Sequence, residues 1–282
     1  MKILKTLDEM KAWSRKVRED GKTLGLVPTM GYLHEGHLSL ARKSVSACDR
    51  TVASIFVNPK QFGPNEDLDT YPRDLEADRR QLERLGVDAL FLPTADDMYP
   101  EGFQTYVNVE GVTDQLCGKS RREFFRGVTT IVLKLFHIVQ PCSAFFGEKD
   151  RQQLEVIRKM VDDLNLDIDI VGLPIIREPD GLAMSSRNQY LGKAERKTAQ
   201  SLHEALQQAQ QLVAQGESSV ATIRSRMRNI IEREGQAQVD YISVCDPKRF
   251  EELEEIRGKA MIALAVHVGK ARLIDNCLIE RI

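Results

Sequence analysis

Two imidazoles stand three residues apart in His34-Glu35-Gly36-His37, just after the apolar run at residues 24–27 and the turn Pro28-Thr29-Met30-Gly31. Leu38, Leu40 and Ala41 follow in a pattern that predicts a helix. The pair therefore belongs where a strand ends and a helix begins. A helix start carries unpaired backbone N–H groups and the positive end of the dipole, which together favour an anion. Imidazole titrates near neutrality, so both rings can donate hydrogen bonds to a phosphate without a fixed full charge. That suits a phosphate whose negative charge grows during a reaction. Two other readings stand beside it: surface polar residues, or two ligands of a metal. The metal reading is weak, because a zinc-binding His-Glu-x-x-His helix sets its pair at i and i+4. Here Glu35 lies between the pair at another spacing, and the other three histidines are scattered.

Three further clusters have residue types suited to the same chemistry. Phe56-Val57-Asn58-Pro59-Lys60-Gln61-Phe62 follows a second apolar run, and the Gln61 amide has both donor and acceptor ends for a small polar substrate. Read alone, this stretch is a polar turn punctuated by Asn58-Pro59. Phe145-Phe146-Gly147-Glu148-Lys149-Asp150-Arg151-Gln152-Gln153 runs from a buried strand into a charged turn. There Gly147 admits a ligand close to the backbone, and Lys149 offers a point charge to a phosphate. Asp150 reads equally well as a helix N-cap. Asp180-Gly181-Leu182-Ala183-Met184-Ser185-Ser186-Arg187-Asn188 places two hydroxyls and a guanidinium in a row. Such a loop can close over a polyphosphate, or it can be an ordinary polar connection.

The chain has 282 residues, 42% hydrophobic and 29% charged, enough for one large core and a second smaller one. A formal net charge of −2 gives no basic field for a polyanion, so nucleic acid is not an expected partner. Five widely spaced cysteines without a Cys-x-x-Cys read as free thiols in a reducing compartment. No signal peptide and no membrane span is evident, and the expected location is cytoplasmic.

Apolar runs at residues 24–27, 51–57, 89–92, 144–146 and 168–171 alternate with charged, helix-periodic stretches such as 73–85 and 150–164. In the latter, Leu154, Ile157, Val161 and Leu164 recur on one face. Alternation of this kind predicts an α/β fold, a Rossmann-like parallel sheet with helices on both faces, whose ligands bind at the carboxyl ends of strands. Each cluster above falls at such an end. After about Arg187 the pattern changes: helices at 193–214 and 218–234, then strands at 239–245, 260–268 and 272–279. This predicts a smaller C-terminal α+β domain. We place the domains at residues 1–175 and 176–282, the second beginning with the loop that carries Met184 to Arg187.

Together, the His pair and the Ser-Ser-Arg loop resemble the two signatures of the class I adenylate-forming nucleotidyltransferases, which aminoacyl-tRNA synthetases carry as His-x-Gly-His and Lys-Met-Ser-Lys-Ser. Additional runs narrow the resemblance: Val27-Pro28-Thr29-Met30-Gly31, Ser54-Ile55-Phe56-Val57-Asn58-Pro59, Gln61-Phe62, Phe125-Arg126-Gly127-Val128 and Gly147-Glu148-Lys149-Asp150. In order, spacing and length the chain resembles the pantothenate synthetase family nearly throughout. Phe124 stands where that family usually has a His.

The resemblance implies an enzyme that ligates (R)-pantoate and β-alanine with ATP, releasing AMP and pyrophosphate through a pantoyl adenylate. The alternative is another small-molecule nucleotidyltransferase of the same fold. It implies that His34 and His37 contact the phosphates, with His37 the proton donor, and that Lys149 joins them in catalysis. Met30, Gly31, Tyr32, Leu33, His34, Glu35, Gly36 and His37 would line the nucleotide. Gly147, Glu148, Lys149 and Asp150, with Met184, Ser185, Ser186 and Arg187, would complete the ATP contacts, and Ile176 would lie against adenine. Gln61 and Gln153 would hold pantoate, Gln61 also touching β-alanine. Mg²⁺ is expected with ATP, its ligands unspecified by the sequence, and the family is commonly a homodimer.

Overall fold

The computed structural model describes residues 1–64, 66–233 and 235–281. By internal contacts the chain divides into two compact units. The first comprises Met1–Thr113, Arg121–Glu148 and Gln153–Pro174; the second comprises Asp114–Ser120, Lys149–Gln152 and Ile175–Ile282.

The first unit is built on β1 (Lys2–Leu4), β2 (Leu24–Thr29), β3 (Arg50–Ile55), β4 (Ala89–Phe91), β5 (Ser143–Gly147) and β6 (Asp169–Leu173). They form one sheet in the order β1-β4-β3-β2-β5-β6, parallel throughout. Its helices include α1 (Leu7–Glu19), α2 (Glu35–Ala47), α3 (Leu75–Arg84) and the short α4 (Ala95–Met98). The four-residue α5 (Cys117–Ser120) belongs to the second unit, and α6 (Phe124–Val139) returns the chain to the first. Helix α7 (Arg151–Asp163) begins in a segment of the second unit and continues in the first.

Strand β2 explains the sheet's placement. Leu24, Leu26 and Val27 are each 1% exposed or less, so both faces of the strand are covered. Val27 packs with Leu40 and Ala41 of α2 and Leu82 of α3. Side chains alternate across a strand, so Leu24 and Leu26 face the other way, where α1 and α6 pack on each other and on β2. The strand order reverses at β2: connections from β2 lead towards β3 and β4, while β5 and β6 lie on its other side. In open α/β sheets the carboxyl ends at such a switch point form the ligand crevice. The His pair follows β2, and Glu148 follows β5.

The second unit contains α8 (Lys193–Ala214), α9 (Val220–Glu232) and an antiparallel meander of β7 (Ala237–Cys245), β8 (Lys259–Val268) and β9 (Ala271–Glu280). Its core joins Leu202, Leu206, Ile223 and Met227 of the helices to Ile242, Ile262, Leu264 and Val266 of the sheet. The expected helix at 218–234 is seen as Val220–Glu232, and its last expected residue, Glu234, lies outside the described residues.

Several local expectations need correction. Leu164 does not continue the buried stripe of α7: the helix ends at Asp163 and Leu164 is 47% exposed, while Val156 and Met160 are buried instead. The periodic expectation overran the helix end by one residue. β1, α1 and α6 were not anticipated. Nor does every cluster sit at a strand end of the parallel sheet: Met184 to Arg187 follow a narrow hairpin of the second unit, closed by a bridge between Arg177 and Ala183.

Helix α6 presses on the loop after β3. A Cβ at Gly127 would lie 2.1 Å from the Lys60 carbonyl oxygen, a backbone atom that cannot step aside. Gly127→Ala is therefore expected to lower unfolding free energy by about 1–3 kcal/mol, the usual cost of overpacking. Urea unfolding of the variant beside the parent chain checks this.

Candidate active site

His34 is the N-cap of α2, and its ring does the capping. The Gly36 N–H donates to His34 Nδ1 at 3.1 Å, and the His34 N–H donates to His37 Nδ1 at 3.4 Å. The arrangement is a capping box with imidazoles in place of the usual hydroxyl and carboxylate. The ring centroids are 4.1 Å apart. An Nδ1 that accepts from a backbone amide leaves the neutral ring's proton on Nε2. Both rings are thus set with Nε2–H as the donor. Of the two donor sets expected at this helix start, the backbone amides and the rings, the Gly36 amide is taken by an imidazole. Glu35, inside the motif, is exposed and pairs with Arg42.

The approach to His34 is held from α3. Asp78 is 2% exposed and accepts from the Tyr32 and Leu33 N–H groups, each at 2.7 Å. Burial raises its carboxyl pKa from the ordinary value, partly offset by those two hydrogen bonds. The turn it clamps has Gly31 at φ +83° and Tyr32 at φ +51°, both left-handed. Gly31 also has no room for a side chain, since a Cβ would sit 2.9 Å from Ile55 Cγ2.

Gln61 ends the 3-10 segment Pro59–Gln61 after β3. Its Oε1 accepts from Asn58 Nδ2 at 3.0 Å, and its Nε2 donates to Met30 Sδ at 3.1 Å. Asn58 cannot turn over: Nδ2 also donates to the Gly127 carbonyl at 3.1 Å, while Oδ1 accepts from the Lys60 N–H at 3.2 Å and the Tyr99 hydroxyl at 2.8 Å. The Gln61 amide is thereby oriented with its nitrogen toward Met30. Burial pushes the Tyr99 phenol pKa up, keeping it a donor. The Gln61 carbonyl accepts from Arg121 at 3.1 Å. Arg121 in turn binds the Glu66 carboxylate and stacks on Phe124, its guanidinium carbon 3.8 Å from the ring centroid. Phe124 is thus an apolar platform for the cation that fastens Gln61.

Gln153 lies in the first turn of α7, half-buried, in the first unit. Gly147 closes β5 opposite Leu173 of β6, and Glu148 opens the 3-10 turn Glu148–Asp150.

Lys149, Asp150, Ile176 and Met184 to Arg187 belong to the second unit. Lys149 Nζ is 3.7 Å from the Asp150 carboxylate. The Met184 N–H donates to the Ile176 carbonyl at 3.0 Å, so two residues expected at the nucleotide are neighbours. Ser185 caps the 3-10 turn Ser186–Tyr190, its hydroxyl accepting from the Arg187 N–H at 3.3 Å. Asn188, buried, donates to Glu178 Oε1 at 2.6 Å and to the Ala183 carbonyl at 3.1 Å, closing the turn onto the hairpin. Among the described residues no group of three or more His, Cys, Asp or Glu is placed to hold a metal ion.

The model of the pantoate–β-alanine ligase family matches residues 2–278. The chain belongs to that family. Among curated pantoate–β-alanine ligases, the pantothenate synthetase of Geobacter sulfurreducens is 56% identical over 279 residues, 99% of each chain. That of Acetivibrio thermocellus is 53% identical over 280 residues, 99% of this chain and 100% of the relative. The crystal structure of the Thermus thermophilus pantothenate synthetase superposes with a TM-score of 0.93 at 44% identity, covering 98% of this chain and 99% of that one. The Francisella tularensis ligase, solved with β,γ-ATP and β-alanine, gives a TM-score of 0.82 at 35% identity, covering 99% and 97%.

Sequence reasoning missed Asp78, Tyr99 and Arg121 and took Asn58 for punctuation. For Asp78 one signal exists: it lies four residues before Leu82, on the core-facing stripe of α3. A carboxylate on such a stripe must meet donors. Tyr99 and Arg121 lie roughly 40 and 60 residues from the groups they serve.

Asp78→Asn keeps one acceptor and turns an NH₂ toward the second backbone amide. We expect a loss of about 1–3 kcal/mol, the cost of a buried unpaired polar group. A fall in kcat should accompany it as the Gly31–Tyr32 turn loosens ahead of His34. Thermal melting and kcat on the same sample check this; an unchanged kcat would detach the clamp from the His pair.

Proposed function

We propose that this chain joins pantoate to β-alanine with ATP, the ligation for which its family is named, and that the reaction passes through pantoyl adenylate. The observation that best supports the mechanism is the backbone-fixed tautomer of His34 and His37, which makes two neutral Nε2–H donors at the switch point of the sheet. A carboxylate does not acylate an amine directly, because oxide is a poor leaving group. In the first step a pantoate carboxylate oxygen attacks the α-phosphorus of ATP. The bond to the bridging α,β oxygen breaks and pyrophosphate departs with the electron pair. Charge grows on the α-phosphoryl oxygens and on pyrophosphate, so donors already in position lower the barrier. His37 and His34 are assigned to that charge, His37 as the proton donor. In the second step the free amine of β-alanine attacks the acyl carbon, AMP leaves, and the ammonium proton is lost.

The remaining assignments follow residue types. Lys149, Ser185, Ser186 and Arg187 supply a cation, two hydroxyls and a guanidinium for phosphates. Ile176 and Met184 offer an apolar surface for adenine. The rest of the 30–37 and 147–150 runs line the nucleotide with their backbone. Gln61 offers an amide nitrogen held by Asn58 for pantoate and for β-alanine, and Gln153 is the second pantoate amide. Mg²⁺ bound with ATP would neutralise phosphate charge and be held chiefly by phosphate oxygens and water. A cytoplasmic location and a homodimer complete the reading. Five free thiols support the first, and family resemblance the second. Among the described residues no helix is long and apolar enough to cross a membrane.

If the adenylate forms first, labelled pyrophosphate exchanges into ATP with pantoate present and β-alanine absent. His37→Ala should depress that exchange by about 10²–10³, the loss typical of one transition-state donor. His34→Ala should act in the same step. Exchange that strictly requires β-alanine would overturn the order of steps.

Gln153→Ala should raise the pantoate KM and leave the β-alanine KM nearly untouched. A dominant shift in β-alanine would reassign that amide to the second substrate.

A further inference from the structure

We propose that Asp275 and Asn276, neighbours on β9, are positioning residues that hold the two ATP segments of the second unit, Lys149 and the Ser185-Ser186-Arg187 run; this rests on the functional reading above. Asp275 is 3% exposed and Asn276 is 8% exposed, far from the usual place of such polar side chains. A buried carboxylate needs both a counter-charge and donors. Asp275 has them: Arg177 Nη1 donates to Oδ2 at 2.6 Å and Nη2 to Oδ1 at 3.0 Å, a two-point fork that fixes direction as well as distance. The same Nη1 donates to the Gly181 carbonyl at 3.1 Å.

Arg177 sits in the stem of the hairpin that leads into Ser185. Its backbone bridges Ala183, and the Glu178 N–H donates to the Leu182 carbonyl at 2.8 Å. The guanidinium therefore ties the hairpin to β9 at stem and turn. The free end of the turn is tied again, by Arg196 of α8 to Glu178 and Asp180.

Asn276 serves the other segment. Its Nδ2 donates to the Lys149 carbonyl at 3.0 Å, and its own N–H donates to Asp275 Oδ1 at 2.8 Å. Both residues lie mid-strand, in register with Leu264 and Ala263 of β8 along a ten-residue pairing. One peptide unit of a stiff strand thus references the Lys149 backbone and the Ser185–Arg187 hairpin to each other. Neither side chain is assigned a nucleotide contact, so both act through the residues they hold. Phosphate ligands carried on two separate segments need such a common frame, because an ångström of misplacement costs much of the benefit of orientation.

The test is a double-mutant cycle on pantoate-dependent ATP–pyrophosphate exchange, with Asn276→Ala, Lys149→Ala and the double variant. Asn276→Ala should lower exchange about tenfold and raise the ATP KM, with the pantoate KM and the melting temperature nearly unchanged. In the Lys149→Ala background it should add little, since its effect passes through Lys149. Losses that multiply in full, or equal rises in both KM values with a fallen melting temperature, would overturn the proposal. Should Asn276→Ala fail to fold, Arg177→Lys tests the other arm, keeping the charge and removing the fork. It should lower exchange and be non-additive with Ser186→Ala, and full additivity there would overturn the proposal too. Failure of the functional reading looks different: unaltered exchange in Lys149→Ala alone.

Discussion

Two backbone amides donating into two imidazole rings set the start of α2 and the direction of both rings. A helix start ordinarily spends a Ser, Asp or Glu side chain on its open amides. Here His34 and His37 do that work, and in doing so their rings lose rotational and tautomeric choice. The structural demand of α2 and the chemical demand for fixed donors are met by the same two hydrogen bonds. Asp78 extends the constraint backwards into the turn from β2. β2 itself, buried on both faces, gives that turn a rigid origin.

The second unit solves the equivalent problem with charge-assisted bonds instead of a helix cap. Its hairpin and 3-10 turn have little apolar burial of their own, though Leu182 and Ala183 are covered. They are held by Arg177 on Asp275, Arg196 on Glu178 and Asp180, and Asn188 on the hairpin backbone. Such partly buried, forked pairs restrict geometry more than they add net stability. A loop fixed by geometry at its base holds Ser185, Ser186 and Arg187 in a defined turn, with Ser186 buried in it.

What the sequence made legible divides by range. β2, β4 and β5 carry short buried apolar runs, as strands covered on both faces require, whereas β3 includes Thr51 and Ser54 and β6 is only partly covered. Helix α8 was read with its observed bounds, because its charge and periodicity are unambiguous. β7 alternates in exposure only in its first half, and its last four residues are all buried. Helix α6 escaped although Arg126, Thr130, Lys134 and His137 mark one narrow face, because most of the rest of the helix is apolar and buried. The His pair, the amide at 61 and the Ser-Ser-Arg run announced themselves by type and neighbourhood. Their supports did not. Asn58, Tyr99, Arg121, Asp275 and Asn276 act across separations of tens of residues, for which no local pattern exists. The same holds for the segments Asp114–Ser120 and Lys149–Gln152, which group with elements far along the chain.

Phe124 shows what such a support decides. Its ring lies under the Arg121 guanidinium, and Arg121 grips the Gln61 carbonyl. A histidine at that place would gain a positive charge as the medium turned mildly acidic. It would then repel the cation it carries, and the grip on Gln61 would weaken with each proton bound. A benzene ring has no proton to gain. The platform beneath Arg121 therefore keeps one charge state across the range in which a histidine would change its own.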